Sequence, residues 1–514
     1  MAVTSSSAAG LSYKSSSGRW VLLATILGSS MAAIDATVVG IALPAIGRDF
    51  HASLASLQWV VTAYTLTLAG LLLYAGGLGD KYGRKKVFLI GVVWFAVASA
   101  ICGLALNAPI LIVARAVQGI GAALLTPGSL AIIEASFRPE DRSKAIGAWT
   151  GFAGVGTAIG PFLGGWLIAA VSWRLIFIIN LPVAVVVLVV GLRHVPESRG
   201  PDASGKLDIS GAALVTFGLI GLTYGLIEGP ASGWGKPLTL IALAVGVALL
   251  AGFLVRESRV SKPLLPLSMF ASAEFSAANV VTFVVYGALG GALFLLPIQL
   301  EQVSKYTAIE AGTSLLPVTF IMLLLSARSG ALAARIGPRL QMSVGPVVIG
   351  IGLVLFARIG PSANYLTEVF PAVLVFGFGL AINVAPLTST VLAAAPAENA
   401  GMASAVNNDV ARAAGLIAVA VLPAIAGITG DSYLHPTVLA HGFKTAAMIA
   451  AVFCAAGGVL AFATIRNPPR VKGAGAAQNA SYCALDSTPL IPAPAPTSQL
   501  GLPPVPRIPH RDQG

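Results

Sequence analysis

Apolar positions in this chain cluster into long runs broken by short polar connections. Fourteen runs reach spanning length: 20–43, 54–78, 87–106, 109–133, 145–169, 174–192, 208–228, 238–255, 274–299, 311–329, 341–357, 366–394, 402–428 and 442–465. A hydrocarbon core about 30 Å thick takes roughly 20 apolar residues per helix. Lipid offers the backbone no hydrogen-bond partner, so only helices and closed barrels cross it. The runs lack the strict alternation of barrel strands, which leaves helices. The pattern predicts an all-α polytopic membrane protein with fourteen spans.

Basic residues give these spans a direction. Of the 31 Lys and Arg residues, 23 fall on the side that carries both termini, six fall on the opposite side, and Arg115 and Arg412 lie inside spans. Cytoplasmic connections collect Lys and Arg, so both termini are expected in the cytoplasm and the chain in the cytoplasmic (inner) membrane. The first 18 residues, rich in Ser and Ala, read as a disordered arm. The run that follows them is of span length rather than the short core of a signal peptide.

Composition agrees with the pattern and removes other classes. The 514 residues are 56% apolar and 10% charged, with mean hydropathy +0.86. Soluble domains carry roughly 25% charge. The net charge of +11 is spread thinly between apolar runs, which argues against a nucleic-acid partner. Cys102, Cys454 and Cys483 and five scattered histidines have no spacing suited to a disulfide framework or a metal site. After Arg466 the chain turns Pro- and Ala-rich and is expected to be disordered.

A repeat divides the spans. Gly76-Gly-Leu78-Gly-Asp80-Lys-Tyr-Gly83-Arg84 follows span 2, and Gly330-Ala-Leu332-Ala-Ala334-Arg-Ile-Gly337-Pro-Arg339 follows span 10. Matching Gly83 to Gly337 matches Gly76 to Gly330 as well. Span 10 then corresponds to span 2, which gives six spans, two extra spans and six more. The boundaries predicted are an arm (1–18), a first bundle (19–193), a linker with two extra spans (194–265), a second bundle (266–466) and a tail (467–514). Repeated bundles around a midplane site are a transporter design.

Charges inside the spans are the candidates for chemistry. A carboxylate at the bilayer centre costs roughly 2.5–3.5 kcal/mol on insertion scales. Asp35 stands there, on a face with Gly28, Ala32, Val39 and Ala42. It reads either as a titrating cation or proton site or as a structural hydrogen-bonding residue. Arg115 shares a face with Gln118 and Gly119, and a buried guanidinium needs a partner. Asp35 is the candidate partner. Asp409 and Arg412, one turn apart and beside Asn407 and Asn408, form a possible second polar site. They read as a self-neutralising pair or as part of coupling or substrate binding. Gly156, Gly160, Pro161, Gly164 and Gly165 in span 5 favour close helix approach with a bend at the proline. Asn383 is a polar residue inside span 12, and Asn180 before Pro182 is expected to satisfy freed backbone groups. No Walker A loop, Gly-x-Ser-x-Gly or His-Glu-x-x-His occurs. Uphill transport would then draw on an ion gradient or a separate subunit.

These motifs resemble the major facilitator superfamily, and in particular its fourteen-span drug:proton antiporter branch. Gly76 to Lys86 resembles the loop motif between spans 2 and 3. Leu111 to Ala123, with Arg115, Gln118, Gly119 and Gly121, resembles the span-4 motif. Gly156 to Gly165 resembles the span-5 antiporter motif, and Asp35 to Pro44 the span-1 signature. Gln58, Trp59 and Tyr64, and Trp173-Arg174 to Asn180-Leu-Pro182, also fit. The resemblance runs from about 19 to 466 and is densest in the first 190 residues. Gly40 departs from it, since Asn is usual there, and Gly77 stands where Arg is common.

The resemblance implies two six-helix bundles plus two extra spans, and proton-coupled export of amphipathic drug-like molecules by alternating access. It implies proton coupling at Asp35 and Arg115 and a cytoplasmic gate of Gly76, Asp80, Gly83 and Arg84. A substrate pocket would include Asp35, Tyr64, Gln118 and Asn383. The expected partners are the bilayer and small amphipathic substrates, the expected unit is a monomer, and no cofactor is implied beyond H⁺ as coupling ion. The protein is not expected to be an enzyme. An exporter of one physiological solute, such as a lipid, siderophore or metabolite, is the alternative. A non-transporting scaffold or sensor is the remote one.

Overall fold

The computed structural model describes residues 10–200, 207–260, 263–395 and 400–467. The first nine residues of the predicted arm and the predicted tail from 468 onward lie outside them.

Among the described residues, fourteen long helical segments follow one another. The first six are α1 (Ser16–Phe50), α2 (Leu54–Tyr82), α3 (Arg84–Gly103), α4 (Ala108–Ser136), α5 (Pro139–Ala170) and α6 (Leu175–His194). Two more are α7 (Ile209–Ser232) and α8 (Pro237–Glu257). The last six are α9 (Ala273–Gln302), α10 (Ala308–Ile336), α11 (Pro338–Phe356), α12 (Tyr365–Ala393), α13 (Ala400–Ile425) and α14 (Pro436–Thr464). Thirteen of them are long and apolar enough to cross a membrane. The other, α5, is 32 residues long and carries the apolar stretch Ile159–Ala170. Among the described residues there is no strand, only an isolated bridge between Leu11 and Phe137.

The ends of these helices are set by local chemistry. Ser15, Ser53 and Asn107 accept hydrogen bonds from backbone N–H groups in the first turns of α1, α2 and α4, the usual N-cap role. Thr307 and Glu310 form a reciprocal capping box at α10. Helices outrun the apolar runs where such caps or a proline allow it. Thus α1 reaches Phe50, and α14 begins at Pro436. The arm also differs from expectation in its last part. Leu11 N donates to Ser136 O at 2.7 Å, and Asp141 Oδ2 accepts from Tyr13 N. Backbone pairing and a capped helix start therefore fix residues 10–18 against the α4–α5 connection.

The second six helices repeat the first with a shift of eight. In the first set α1 packs on α5 and α6, and α4 on α2 and α3. In the second, α9 packs on α13 and α14, and α12 on α10 and α11. The crossings match residue by residue. A Cβ at Gly91 would stand 2.8 Å from Leu125 N, and one at Gly121 would stand 2.6 Å from Phe95 N. Gly345 meets Asn383 and Gly379 meets Ile349 in the same way. Gly83 and Gly337 both precede the third helix of their set with positive φ, 113° and 89°, where a side chain would be strained. Over each lies the polar residue that follows the sixth helix. Glu197 accepts from Lys85 N and Lys86 N, and Asn467 accepts from Arg339 N.

The extra pair α7–α8 forms a hairpin. It is closed by Arg256, which donates to both oxygens of Asp208. Burial opposes the Asp208 charge, but the Arg256 and Gly211 hydrogen bonds outweigh it and hold the carboxyl below its usual range. Helix α7 packs against both α2 and α13, so it flanks one seam between the bundles.

The two bundles meet unevenly. The face with the chain ends is called here the termini face, and the other the far face. Hydrogen bonds joining the bundles gather in the far half. Gln58 Nε2 donates to Val419 O at 2.6 Å, Leu54 N to Gly430 O at 3.1 Å, and Tyr433 OH to Ala52 O at 2.5 Å. One apolar cluster joins far-half residues of the first bundle, such as Leu43, Leu57 and Leu111, to the second bundle. The termini-half residues of the first bundle, such as Val21, Leu72 and Ile132, form a separate cluster. The bundles are thus closed on the far side and parted toward the termini face.

Candidate functional site

Five helices of the first bundle converge on one polar network. Asp35 (α1), Tyr64 (α2), Ser99 (α3), Arg115 and Gln118 (α4) and Asn180 (α6) are each at most 3% exposed. Arg115 Nη1 donates to Asp35 Oδ2 at 2.5 Å and to Gln118 Oε1 at 2.6 Å, and Arg115 Nε donates to Val60 O at 3.1 Å. Gln118 Nε2 donates to Asp35 Oδ1 at 2.8 Å. Both carboxylate oxygens are therefore partnered. Gln118 also donates to Ser99 Oγ, which accepts from Asn180 Nδ2 and donates to Phe177 O. The guanidinium lies 4.2 Å from the Tyr64 ring centroid, a cation–π distance. A buried ion pair holds only when its remaining donors and acceptors find partners, and here Gln118, the Val60 carbonyl and the Tyr64 ring supply them.

The helix spacing explains the convergence. Gly28, Ala32, Asp35, Val39 and Ala42 all lie on the buried side of α1. Gly119 lets α2 come close, since a Cβ there would strike Thr67 and the Tyr64 carbonyl. That approach lays the Tyr64 ring on Arg115. Asn180 differs from expectation. Its Nδ2 serves Ser99 rather than a backbone carbonyl freed by Pro182, because Ser99 faces it across the α3–α6 contact.

Another face of α1 opens toward the second bundle. Gly47 on that face abuts the Tyr433 hydroxyl, whereas a Cβ at Gly40 would meet nothing within 4 Å, and Ala36 is exposed. In the second bundle α13, which packs on α2, carries Asn407, Asp409 and Arg412, all half-buried. Asn407 Nδ2 donates to Asn279 Oδ1 and Thr282 Oγ1 of α9. The buried atoms Asp409 Oδ1 and Arg412 Nε have no hydrogen-bond partner, and the two side chains do not form an ion pair. Of the two readings of Asp409 and Arg412, the one as a directly contacting pair is not met.

Of the residues expected in a pocket, Asp35, Tyr64 and Gln118 are drawn into the sealed network, because Arg115 needs them. Asn383 sits apart from it. Asn383 is 0% exposed at the α11–α12 crossing, against Gly345, and both its amide atoms lack partners. It occupies the place that Leu125 holds in the first bundle. The residues that do border the gap, Ala36 and Gly40, are small and gave no sequence signal as lining. Ser99 was missed because a lone serine in an apolar run carries no pattern.

The glycines of α5 divide between two partners. Gly156, Gly160 and Gly164 lie against Ser30, Thr37 and Val38 of α1. Gly165 lies against the backbone of Ala308 and Ile309 in α10, and Gly312 of α10 against the Pro161 carbonyl. One helix thus packs closely on its own bundle and on the other. At the termini face, Asp80 is bonded to Arg84, whose Nε lies 2.9 Å from Oδ1 and whose Nη1 donates to Ala131 O. Gly76 rests on Pro127. The Asp80–Arg84 pair is internal to the first bundle.

A repeated pair of six-helix bundles, closed on one side and parted on the other around intramembrane charges, defines a membrane transporter. The family model described as the Major Facilitator Superfamily matches residues 25–420. The chain is 38% identical over 419 residues to the tetracenomycin C resistance and export protein of Streptomyces glaucescens, covering 80% of this chain and 77% of that one. It is 33% identical over 448 residues to the methylenomycin A resistance protein of Bacillus subtilis, covering 86% and 96%. It is 36% identical over 421 residues to the multidrug resistance protein Stp of Mycobacterium tuberculosis, covering 81% and 77%. Among solved structures, an inward-facing bacterial homologue of the lysosomal transporter Spinster is similar in fold, with TM-score 0.64 at 18% identity over 88% of this chain and 97% of that one. The chain belongs to the Major Facilitator Superfamily.

Proposed function

We propose that this transporter exports amphipathic drug-like molecules across the inner membrane in exchange for protons, with both termini in the cytoplasm and the monomer as the working unit. The Asp35–Arg115 pair carries this reading. It is buried in α1 and α4, one residue from Ala36, which is exposed on the face toward the second bundle. In the state described, the two oxygens of Asp35 are bonded to Arg115 and Gln118. When the bundles rock and the far side opens, a proton on Asp35 neutralises it and releases Arg115. Return to the state open at the termini face gives up the proton and restores the pair. Substrate enters the gap between α1 and α13 from the termini side, where one wall is apolar and the other offers Asn407, Asp409 and Arg412. Mostly apolar surfaces with a few placed polar groups suit such ligands.

The resistance and export proteins similar to this chain support efflux. Two of them are named for a single antibiotic each, which favours, as a second reading, one physiological product as the cargo. Proteoliposomes with an imposed pH gradient test the main reading. Export of a fluorescent amphipathic dye should follow the gradient and collapse with a protonophore. Export that ignores the gradient would remove proton coupling.

A further inference from the structure

The buried carboxylate of Glu301 takes no part in the network around Asp35. It lies in the last turn of α9, the repeat counterpart of α1. Each helix has an internal proline near its far end, Pro44 in α1 and Pro297 in α9. The fourth residue beyond each is Arg48 and Glu301. Repeat-equivalent positions therefore carry opposite charges, and they meet. Arg48 Nη2 stands 3.3 Å from Glu301 Oε2, with the Glu301 side chain 3% exposed and the Arg48 side chain 55% exposed. The other carboxylate oxygen, Oε1, is buried without a hydrogen-bond partner. This ion pair joins the two bundles, whereas Asp35–Arg115, Asp49–Arg174, Asp80–Arg84 and Asp208–Arg256 do not.

We propose that Arg48 and Glu301 form a proton-releasable latch on the far face, which holds the bundles together there until Glu301 takes a proton from the far side. A carboxylate at a helix C-terminus is disfavoured by the helix dipole. With one oxygen dry and unbonded, its charge depends on Arg48. Proton transfer to Oε2 turns the carboxylate into a neutral acid, and Arg48 returns to water. Arg48 is the charged group that faces Glu301 directly. Beyond Arg48 stand Tyr433 and Asp431 on the α13–α14 connection, and Asp49 bound to Arg174 on the α1 side. Burial pushes the Tyr433 hydroxyl up to about 12, so it keeps its proton and its bond to Ala52 as the latch opens. The far gate would then sense the proton-rich compartment at a point distinct from Asp35.

This latch rests on the alternating-access reading. Its test reads conformation rather than transport, so it can fail while proton-driven export stands. Spin labels on Leu106→Cys and Leu366→Cys, both exposed on the far face, report the separation of the bundles. The full chain is placed in lipid nanodiscs with Cys102, Cys454 and Cys483 replaced by Ala. With Glu301 present, the long-distance population should rise roughly fivefold or more from neutral to mildly acidic pH. Glu301→Gln should already show long distances at neutral pH and lose the response. Arg48→Glu combined with Glu301→Arg should restore the short distances, and Asp35→Asn should retain the pH response. Glu301→Gln with unaltered short distances would overturn the latch. So would an undiminished pH response without Glu301, or a charge-reversed pair that stays apart.

Discussion

The two bundles share a helix arrangement and treat intramembrane charge in opposite ways. In the first, Asp35 and Arg115 are sealed, and their polar atoms are bonded through Gln118 and the Val60 carbonyl. In the second, Asp409 and Arg412 lie one turn apart beside the gap, unpaired, each with a buried unbonded atom. A satisfied buried network fixes one geometry, whereas unsatisfied polar atoms are costly until something meets them. The first bundle thus holds a preset switch. The second holds groups whose partners are absent in the state open at the termini face.

The largest expected effect separates these two arginines. Removing one partner of a buried pair costs about 3–5 kcal/mol, so Arg115→Ala should sharply lower the thermal unfolding midpoint in detergent. Arg412→Ala should leave that midpoint nearly unchanged and alter substrate affinity. Equal destabilisation by the two would erase the contrast. A step down in magnitude is α5, which ties the sealed bundle to the open one. Overpacking costs about 1–3 kcal/mol, so Gly165→Val should wedge α5 off Ala308 and shift the far-face spin-label distances toward the open state. Unchanged distances would show that this contact does not hold the far side shut. The smallest effect belongs to Gly40, where a side chain meets open space. Gly40→Asn should change stability by no more than about 0.5 kcal/mol while altering the range of dyes exported. A large stability loss would mean that Gly40 does not border the gap.

Span count, the repeat and the identity of the charged residues were legible because each rests on a periodic or compositional signal. Fourteen apolar runs became fourteen helices, and the match of Gly83 to Gly337 extended to Glu197 and Asn467 at the same two turns. What stayed hidden depended on distance between helices. Asn383 reads as a pocket residue in isolation, but the close approach at Gly345 buries it in a crossing. Asp409 and Arg412 have the spacing of a helix pair, yet they stay apart in the helix interior. Glu301 lies beyond the apolar run 274–299, and only the extension of α9 past Pro297 brings it to Arg48.

Asp35 carries the central claim, and Asn keeps its shape and one acceptor oxygen for Arg115 or Gln118 without binding a proton. Wild-type and Asp35→Asn chains can be compared in proteoliposomes with a pH-sensitive dye inside and an imposed pH gradient. The wild type should move amphipathic dye and protons in opposite directions, and Asp35→Asn should bind dye yet lose both gradient-driven export and its proton flux. Gradient-driven export that survives in Asp35→Asn would contradict the account.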